Sequence, residues 1–300
     1  MAEVDILLGT HNGARHLGGQ LGSIAGQTMP DWTMLVSDDG SHDETVDIVT
    51  RFARARPAAA LRLLKGPGKG PAANYLHMLR HADRRAFCLA LADQDDLWFP
   101  IKLARAVSVL RRLPRQEPVL YAAQTTLIDA AGRPLKARKP CVAIPAFSNA
   151  LVQNITAGNT IVLNRAASEL AARAMPNPLP PFHDWWLYAL MTGAGATIVI
   201  DPMPVLAYRQ HGNSTLGAHA GLGARITRAK LVANGTWRRW LADHHAALRS
   251  VTPYLTPESH AQLDSLTAGT PRLALHRAGA YRQRRLGTAA IGLAALAGLA

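Results

Sequence analysis

The chain has 300 residues, 48% of them hydrophobic and 18% charged, enough apolar material for a sizeable core, which excludes disordered, collagenous and coiled-coil classes. Its 2 cysteines, Cys88 and Cys141, are too few for a disulfide framework and match no zinc-site spacing, so a reducing compartment is expected. Lys and Arg total 33 against 20 Asp and Glu, and the resulting +13 favours anionic partners such as nucleic acid, phosphates or a membrane surface.

The opening Met1-Ala2-Glu3-Val4-Asp5 places acids where a secretory leader needs basic residues and a long apolar run, so a cytoplasmic location is expected. Val4 to Leu8 then reads as a strand ending at Gly9-Thr10, and Leu17, Leu21 and Ile24 follow at helical spacing. A second unit repeats the pattern: strand Thr33 to Val36, the polar stop Ser37-Asp38-Asp39-Gly40-Ser41, then a helical face of Val46, Val49 and Phe52. Leu61 to Leu64 predicts a third strand, Gly66 to Pro71 a loop, and Tyr75, Leu76, Met78 and Leu79 a third helix. The unbroken apolar run Phe87 to Ala92 suits a strand covered on both faces, and it ends in Asp93-Gln94-Asp95-Asp96. Pro100 opens a helix through Leu110.

Beyond residue 115 the pattern loosens. Tyr121 to Asp129 reads as a strand with a turn over 131–134, Thr160 to Leu163 as a strand, 176–181 as a loop, and His183 to Met191 as a short helix. Ala196 to Ile200 reads as another strand, and Val205 to Thr215 as an extended polar segment. From about 217 the chain reads as helical, with 11 basic and 3 acidic side chains over 216–300. Its apolar end, Leu286 to Ala300, is shorter than the ~20 residues of a membrane span. Behind Arg277, Arg282, Arg284 and Arg285, this stretch reads equally as an interfacial helix on anionic lipid or as a helix packed on the catalytic domain. The expected division is therefore a domain over 1–215 and a basic helical extension over 216–300.

Strand and helix alternation predicts an α/β, doubly wound, mainly parallel sheet flanked by helices, with ligands at the carboxyl ends of its strands. Every polar cluster in the first hundred residues falls at such an end. Asp93-x-Asp95 can hold a hard divalent cation that also binds phosphate oxygens, although acids ahead of a helix also serve as caps. Asp96 adds a third negative charge, which calls for a cation or basic groups nearby. Asp38-Asp39-Gly40-Ser41 reads either as a turn with a helix cap or as a carboxylate for the N3–H of a pyrimidine. Asp184, in His183-Asp184-Trp185-Trp186, is the candidate general base, because apolar rings can raise a carboxylate toward working pH. In Tyr208 to Ser214, Arg209 suits a diphosphate and His211 a metal, while a solvated loop is the plainer reading.

Taken in order, these segments resemble an inverting glycosyltransferase of family 2, with the GT-A fold. The likeness runs from Val4 to about Thr215, through Ile6 to Gly13, Gln20 to Thr28 and Ser37 to Asp43. More distinctive are Ala92-Asp93-Gln94-Asp95-Asp96-Leu97-Trp98-x-Pro100-x-Lys102, His183-Asp184-Trp185-Trp186 and Tyr208-Arg209-Gln210-His211-Gly212-Asn213, which are similar to the rhamnosyltransferase-like branch.

The resemblance implies that Asp39 binds the base, with Thr10 and Asn12 lining the nucleotide pocket. It implies further that Asp93 faces the ribose or the metal shell and that Asp95 ligates Mg²⁺ or Mn²⁺. Asp184 would be the catalytic base, and Arg209 and His211 would close on diphosphate and metal. It also implies a dTDP- or UDP-sugar donor, L-rhamnose or a similar sugar, and a glycan or polyprenyl-diphosphate-linked acceptor in surface polysaccharides such as O-antigen. Gly9 and His11 depart from the usual family residues. An inactive scaffold and a basic nucleic-acid-binding protein are the alternatives, the latter weakened by 6% aromatic content and the lack of any nucleic-acid motif.

Overall fold

The computed structural model describes residues 2–57, 60–135, 144–210, 230–266, 271–283 and 287–289. Two compact units interleave along the chain. One comprises 1–137, 156–173 and 196–214, and the other 138–155, 174–195 and 215–300. Segments 138–155 and 174–195 thus belong with the residues after 215, a grouping that no composition shift announces.

The first unit is built on an eight-stranded sheet: β1 (Val4–Thr10), β2 (Trp32–Asp38), β3 (Leu61–Lys65), β4 (Cys88–Ala92), β5 (Leu97–Trp98), β6 (Val119–Ile128), β7 (Val162–Asn164) and β8 (Thr197–Arg209). Their spatial order is β3-β2-β1-β4-β7-β6-β8-β5. The β1–β2, β1–β4, β2–β3 and β6–β8 pairs are parallel, and β4–β7, β6–β7 and β5–β8 antiparallel. The sheet is accordingly mixed and mostly parallel. Two successive reversals about β7 bring β6 and β8 back to the direction of β4, so the carboxyl ends of six strands share one edge.

Helices α1 (Ala14–Ala25), α2 (Thr45–Ala55), α3 (Pro71–His81), α4 (Lys102–Leu110) and α6 (Arg165–Arg173) belong to this unit, and α5 (Phe147–Ala150) to the other. The apolar stripe of α1, Leu17, Leu21 and Ile24, is at most 1% exposed and joins Ile6, Leu8 and Val36 of the sheet in one core. Each such side chain contributes roughly 1.5–3 kcal/mol by leaving water. Residues 211–215 lie outside the described residues; the extended segments expected at 196–200 and from 205 onward run together in one strand, β8, which ends at Arg209. Its register with β6 shifts around Ala123 to Thr125, opposite Pro202 and Pro204, which break the period-2 pattern.

The second unit is helical, with α7 (His183–Gly193), α8 (Thr236–Arg249), α9 (Pro257–Ser265) and α10 (Pro271–Arg277). Trp185 to Met191 are all buried. Inside this unit Trp185 Nε1 donates to the Ala150 carbonyl at 2.6 Å and Tyr188 donates to Asn149 Oδ1 at 2.9 Å. Gly193 is required by close packing, since a Cβ there would lie 2.8 Å from Leu255 Cδ2 and 2.9 Å from Phe147 Cε2. Among the described residues no helix is long and apolar enough to cross a membrane. Most of the apolar end at 286–300 lies outside the described residues.

Candidate active site

The parallel half of the sheet gathers the polar strand ends. Thr10, the last residue of β1, is 2% exposed and donates its hydroxyl to Asp38 Oδ1 at 2.9 Å; Ser41 donates to the same carboxylate through its backbone N–H at 2.9 Å and its hydroxyl at 2.6 Å. Asp38 thereby ties β1 to the turn after β2. Asn12 sits at φ +47°, in the left-handed region that asparagine tolerates. Its N–H donates to Ser41 Oγ and its Oδ1 accepts from the His42 N–H, both at 2.8 Å. The adjacent Asp39 is buried, and its two oxygens accept from the backbone N–H groups of Gly68 and Gly70, each at 2.7 Å. Gly68 and Gly70 have φ of +66° and +85°, and those conformations let the loop present its amides to one carboxylate.

The turn after β4 is held residue by residue. Asp93 Oδ1 accepts from Tyr75 Oη at 2.7 Å, and the same hydroxyl lies 2.5 Å from the Ala92 carbonyl. Burial, then the Asp93 charge, pushes the Tyr75 phenol well above its ordinary value, so it stays a proton donor. Gln94 grips the backbone of His11 from both sides, accepting its N–H at 2.8 Å and donating to its carbonyl at 2.9 Å. This approach is so close that a Cβ on Gly13 would lie 2.2 Å from Gln94 Oε1. Arg209, the last residue of β8, donates Nε to the Asp95 carbonyl at 3.1 Å and Nη1 to the carbonyls of Ala130 at 3.1 Å and Asp129 at 3.3 Å. Its observed contacts therefore brace the turn.

Asp96 is fully buried. Burial first, then the charges of Asp93 and Asp95, drive its carboxyl well above the usual carboxylate range. Lys102, also fully buried, is pulled well below its ordinary value by burial, against the opposing pull of Asp96. Asn159 links the two.

Thr10, Asn12, Asp39, Asp93, Asp95 and Arg209 thus share one sheet edge. Asp184 lies in the first turn of α7, in the second unit, where its Oδ1 accepts from the Trp185 N–H at 2.8 Å. His211 lies outside the described residues. Sequence reasoning missed Tyr75, Gln94 and Asn159 as partners of the turn. Only Gln94 carries a local signal, its place inside Asp-x-Asp.

Among the described residues no three His, Cys, Asp or Glu side chains converge as a metal cage. The half-buried carboxylates Asp93 and Asp95, beside a buried Asp96 whose Oδ1 has no hydrogen-bond partner among the described residues, leave an excess of hard oxygen donors. Such a donor set fits Mg²⁺ or Mn²⁺ held by one or two carboxylates, with substrate phosphates and water completing the shell.

Comparison with known proteins bears on the family and the fold. Residues 5–121 match the family described as Glycosyl transferase family 2. The dTDP-rhamnosyl transferase RfbG of Shigella flexneri is 26% identical over 254 residues, covering 77% of this chain and 81% of the relative. The UDP-Glc:alpha-D-GlcNAc-diphosphoundecaprenol beta-1,3-glucosyltransferase WfgD of Escherichia coli is 31% identical over 108 residues, 36% of this chain and 40% of the relative.

Among solved structures, S. aureus TarS superposes with a TM-score of 0.57 at 17% identity over 93% of this chain and 87% of that one. The mannosyltransferase PcManGT of Pyrobaculum calidifontis, solved with GDP-Man and Mn²⁺, superposes with a TM-score of 0.53 at 23% identity over 99% and 86%. At those identities the likeness speaks for the fold, which is GT-A. With the longer likeness to a dTDP-rhamnosyl transferase beside the family match, residues 5–121 of the chain are a glycosyltransferase family 2 domain.

Proposed function

We propose that this glycosyltransferase is inverting and dependent on Mg²⁺ or Mn²⁺, and that it moves L-rhamnose or a similar sugar from a dTDP or UDP donor to an acceptor hydroxyl. The acceptor would be a glycan or a polyprenyl-diphosphate-linked saccharide in surface polysaccharide assembly. The observation that carries this reading is the convergence of Thr10, Asn12, Asp39, Asp93, Asp95 and Arg209 at one sheet edge. The name of RfbG supports a rhamnosyl donor, and that of WfgD a lipid-diphosphate acceptor.

Asp39 would accept the N3–H of the base with lone pairs additional to those engaged by Gly68 and Gly70, since each carboxylate oxygen can accept twice. Asp93 and Asp95 would hold the cation, which supplies charge neutralisation to the leaving diphosphate. Arg209, anchored on the Asp95 carbonyl, fixes where those carboxylates stand before substrate arrives, so little reorganisation remains for the reaction. Asp184 would take the proton of the acceptor hydroxyl as its oxygen attacks the anomeric carbon opposite the diphosphate, which inverts that centre without a covalent enzyme intermediate.

The test is thermal stabilisation by dTDP, UDP and GDP, each with Mn²⁺ or with EDTA, for the wild type and Asp95→Ala. A ligand selective for the native state raises its stability. Stabilisation by one nucleotide that needs both Mn²⁺ and Asp95 is expected. No metal-dependent shift with any nucleotide would refute the reading and favour a scaffold or nucleic-acid role.

The +8 carried by 216–300 further supports a cytoplasmic protein that docks peripherally on anionic membrane. Full-length protein should float with phosphatidylglycerol vesicles, and replacing Arg277, Arg284 and Arg285 together by Gln should abolish flotation. Equal behaviour of the two proteins would refute this.

A further inference from the structure

We infer that Asn159, held in place through its backbone carbonyl by the buried amino group of Lys102, is a positioning residue for the carboxylate turn Asp93 to Asp96, and that Asp96 is an anchor and not a cation ligand. This rests on the reading of Asp93 and Asp95 as the cation-holding pair.

Asn159 is 2% exposed on the 3₁₀ turn Gly158–Thr160 that leads into β7. Its Nδ2 donates to Asp96 Oδ2 at 2.5 Å, and its carbonyl accepts from Lys102 Nζ at 2.5 Å. Lys102 comes from the first turn of α4, and its Nζ lies 3.4 Å from the centroid of the buried Trp98 ring. A chain of contacts therefore runs from α4 through the turn before β7 to the residue after Asp95.

Three features argue that the chain serves geometry. Burying an amino and a carboxyl group carries a desolvation cost that well-packed apolar residues would avoid, so the knot adds little stability over an apolar filling. Asp96 has one described donor for two oxygens, so the Asn159 amide fixes its rotamer alone. The turn is also held at its other residues, Asp93 by Tyr75, Gln94 by the His11 backbone and Asp95 by Arg209. Without Asn159 the last of these four positions would be loose, and the Asp95 carboxylate sits directly before it. Lys102 can touch neither a cation nor a nucleotide, because its side chain is wholly enclosed.

The test measures the nucleotide Kd by calorimetry on the full chain with EDTA and with Mn²⁺, using whichever of dTDP, UDP or GDP stabilises the wild type. The ratio of the two values is the metal increment. Lys102→Met and Asn159→Ala should leave the EDTA value within about twofold and shrink the increment about tenfold, a loss of ~1.4 kcal/mol. Lys102→Met replaces a buried amino group by an apolar chain of similar length, so it keeps the test alive if Asn159→Ala does not fold.

Thr33→Val serves as the control: it removes the hydroxyl that donates to buried Asp5 at 2.9 Å, near the start of β1, and should lower Tm with the increment intact. An unchanged increment in Lys102→Met, with a wild type that shows one, would overturn the inference and leave the cation reading standing. Loss in Asp96→Asn as complete as in Asp95→Asn, with Lys102→Met unaffected, would make Asp96 a ligand and overturn it too. A wild type with no increment would overturn the cation reading and this inference with it.

Discussion

Replacing Gly13 by Ala tests how firmly the carboxylate turn is tied to the end of β1. Gly13 has φ −100° and ψ 3°, which alanine adopts without strain, so the backbone offers no objection. The added methyl would instead lie 2.2 Å from Gln94 Oε1 and 2.5 Å from its Cδ, both inside the 3.0 Å below which real Cβ contacts essentially never fall. The Gln94 side chain must leave, and it gives up both hydrogen bonds to the His11 backbone. At roughly 1 kcal/mol each, the loss is about 2 kcal/mol. Alanine in place of glycine at the N-cap of α1 adds roughly 0.5–1 kcal/mol. Gly13→Ala should therefore cost about 3 kcal/mol in urea unfolding, whereas in a Gln94→Ala background it should cost only about 1. The coupling of about 2 kcal/mol is the signature of one shared contact. Additivity within about 0.5 kcal/mol would refute the reasoning, because it would mean that Gln94 is not what the methyl meets.

Asp184→Asn should bind nucleotide and Mn²⁺ as the wild type does yet lose transfer by at least about a hundredfold, the ordinary contribution of a general base; retained turnover in a radiolabelled sugar assay would remove it from the mechanism. Arg209→Lys replaces a fork that reaches three carbonyls with a single ammonium, and should weaken Mn²⁺-dependent nucleotide binding several-fold more than binding in EDTA, as read by calorimetry. His244, its ring centroid 4.4 Å from that of Trp185 and the residue 2% exposed, is pulled down to about 3 by burial. The unfolded chain therefore takes up a proton near pH 6.5 that the folded chain refuses, so stability falls as pH drops from 6.5 toward about 3. Between pH 7 and 5 the loss is about 2 kcal/mol, and His244→Phe should remove it from the urea midpoint series. Asp201, 4% exposed, accepts from Arg105 Nε and Nη2 at 2.5 and 2.8 Å, from Tyr121 Oη at 2.8 Å and from the Met203 N–H at 3.0 Å; Asp201→Ala strands all four donors and should cost about 3–5 kcal/mol by chemical denaturation.

The left half of the sheet was legible because parallel strands repeat one grammar: an apolar run, a polar stop, then a helical face. Val4 to Leu8, Thr33 to Val36 and Phe87 to Ala92 each follow it, and β1, β2 and β4 lie where those runs are. The strands at the other end of the sheet follow no such rule. Leu97–Trp98 is two residues long, below any periodic signal, and β8 is broken to the eye by Pro202 and Pro204 although the strand passes through both. Helix α6 went unread because half its buried positions are the alanines Ala167 and Ala171, which give a weak apolar stripe. The interleaving of the two units had no local signal, since the prolines and aromatics that set 174–195 apart do not say which distant segments it packs with.

Positions were readable where roles were not, and the reason is local to each carboxylate. Asp38 and Asp39 look equivalent in sequence, yet Asp38 closes β2 while Asp39 stands in the turn beyond it. One meets Thr10 and Ser41, and the other meets the amides of Gly68 and Gly70. The same holds for Asp93, Asp95 and Asp96, where a tight turn buries the third completely and leaves the first two half-buried. What holds Asp96 in that turn is Asn159, which lies 63 residues beyond it. A partner at that distance leaves no spacing to read, because strands β6 and β7, which bring it back, are fixed by the sheet and by nothing in the motif. A turn motif therefore names the edge where chemistry occurs, and the long-range hydrogen bonds decide which of its carboxylates faces the ligand.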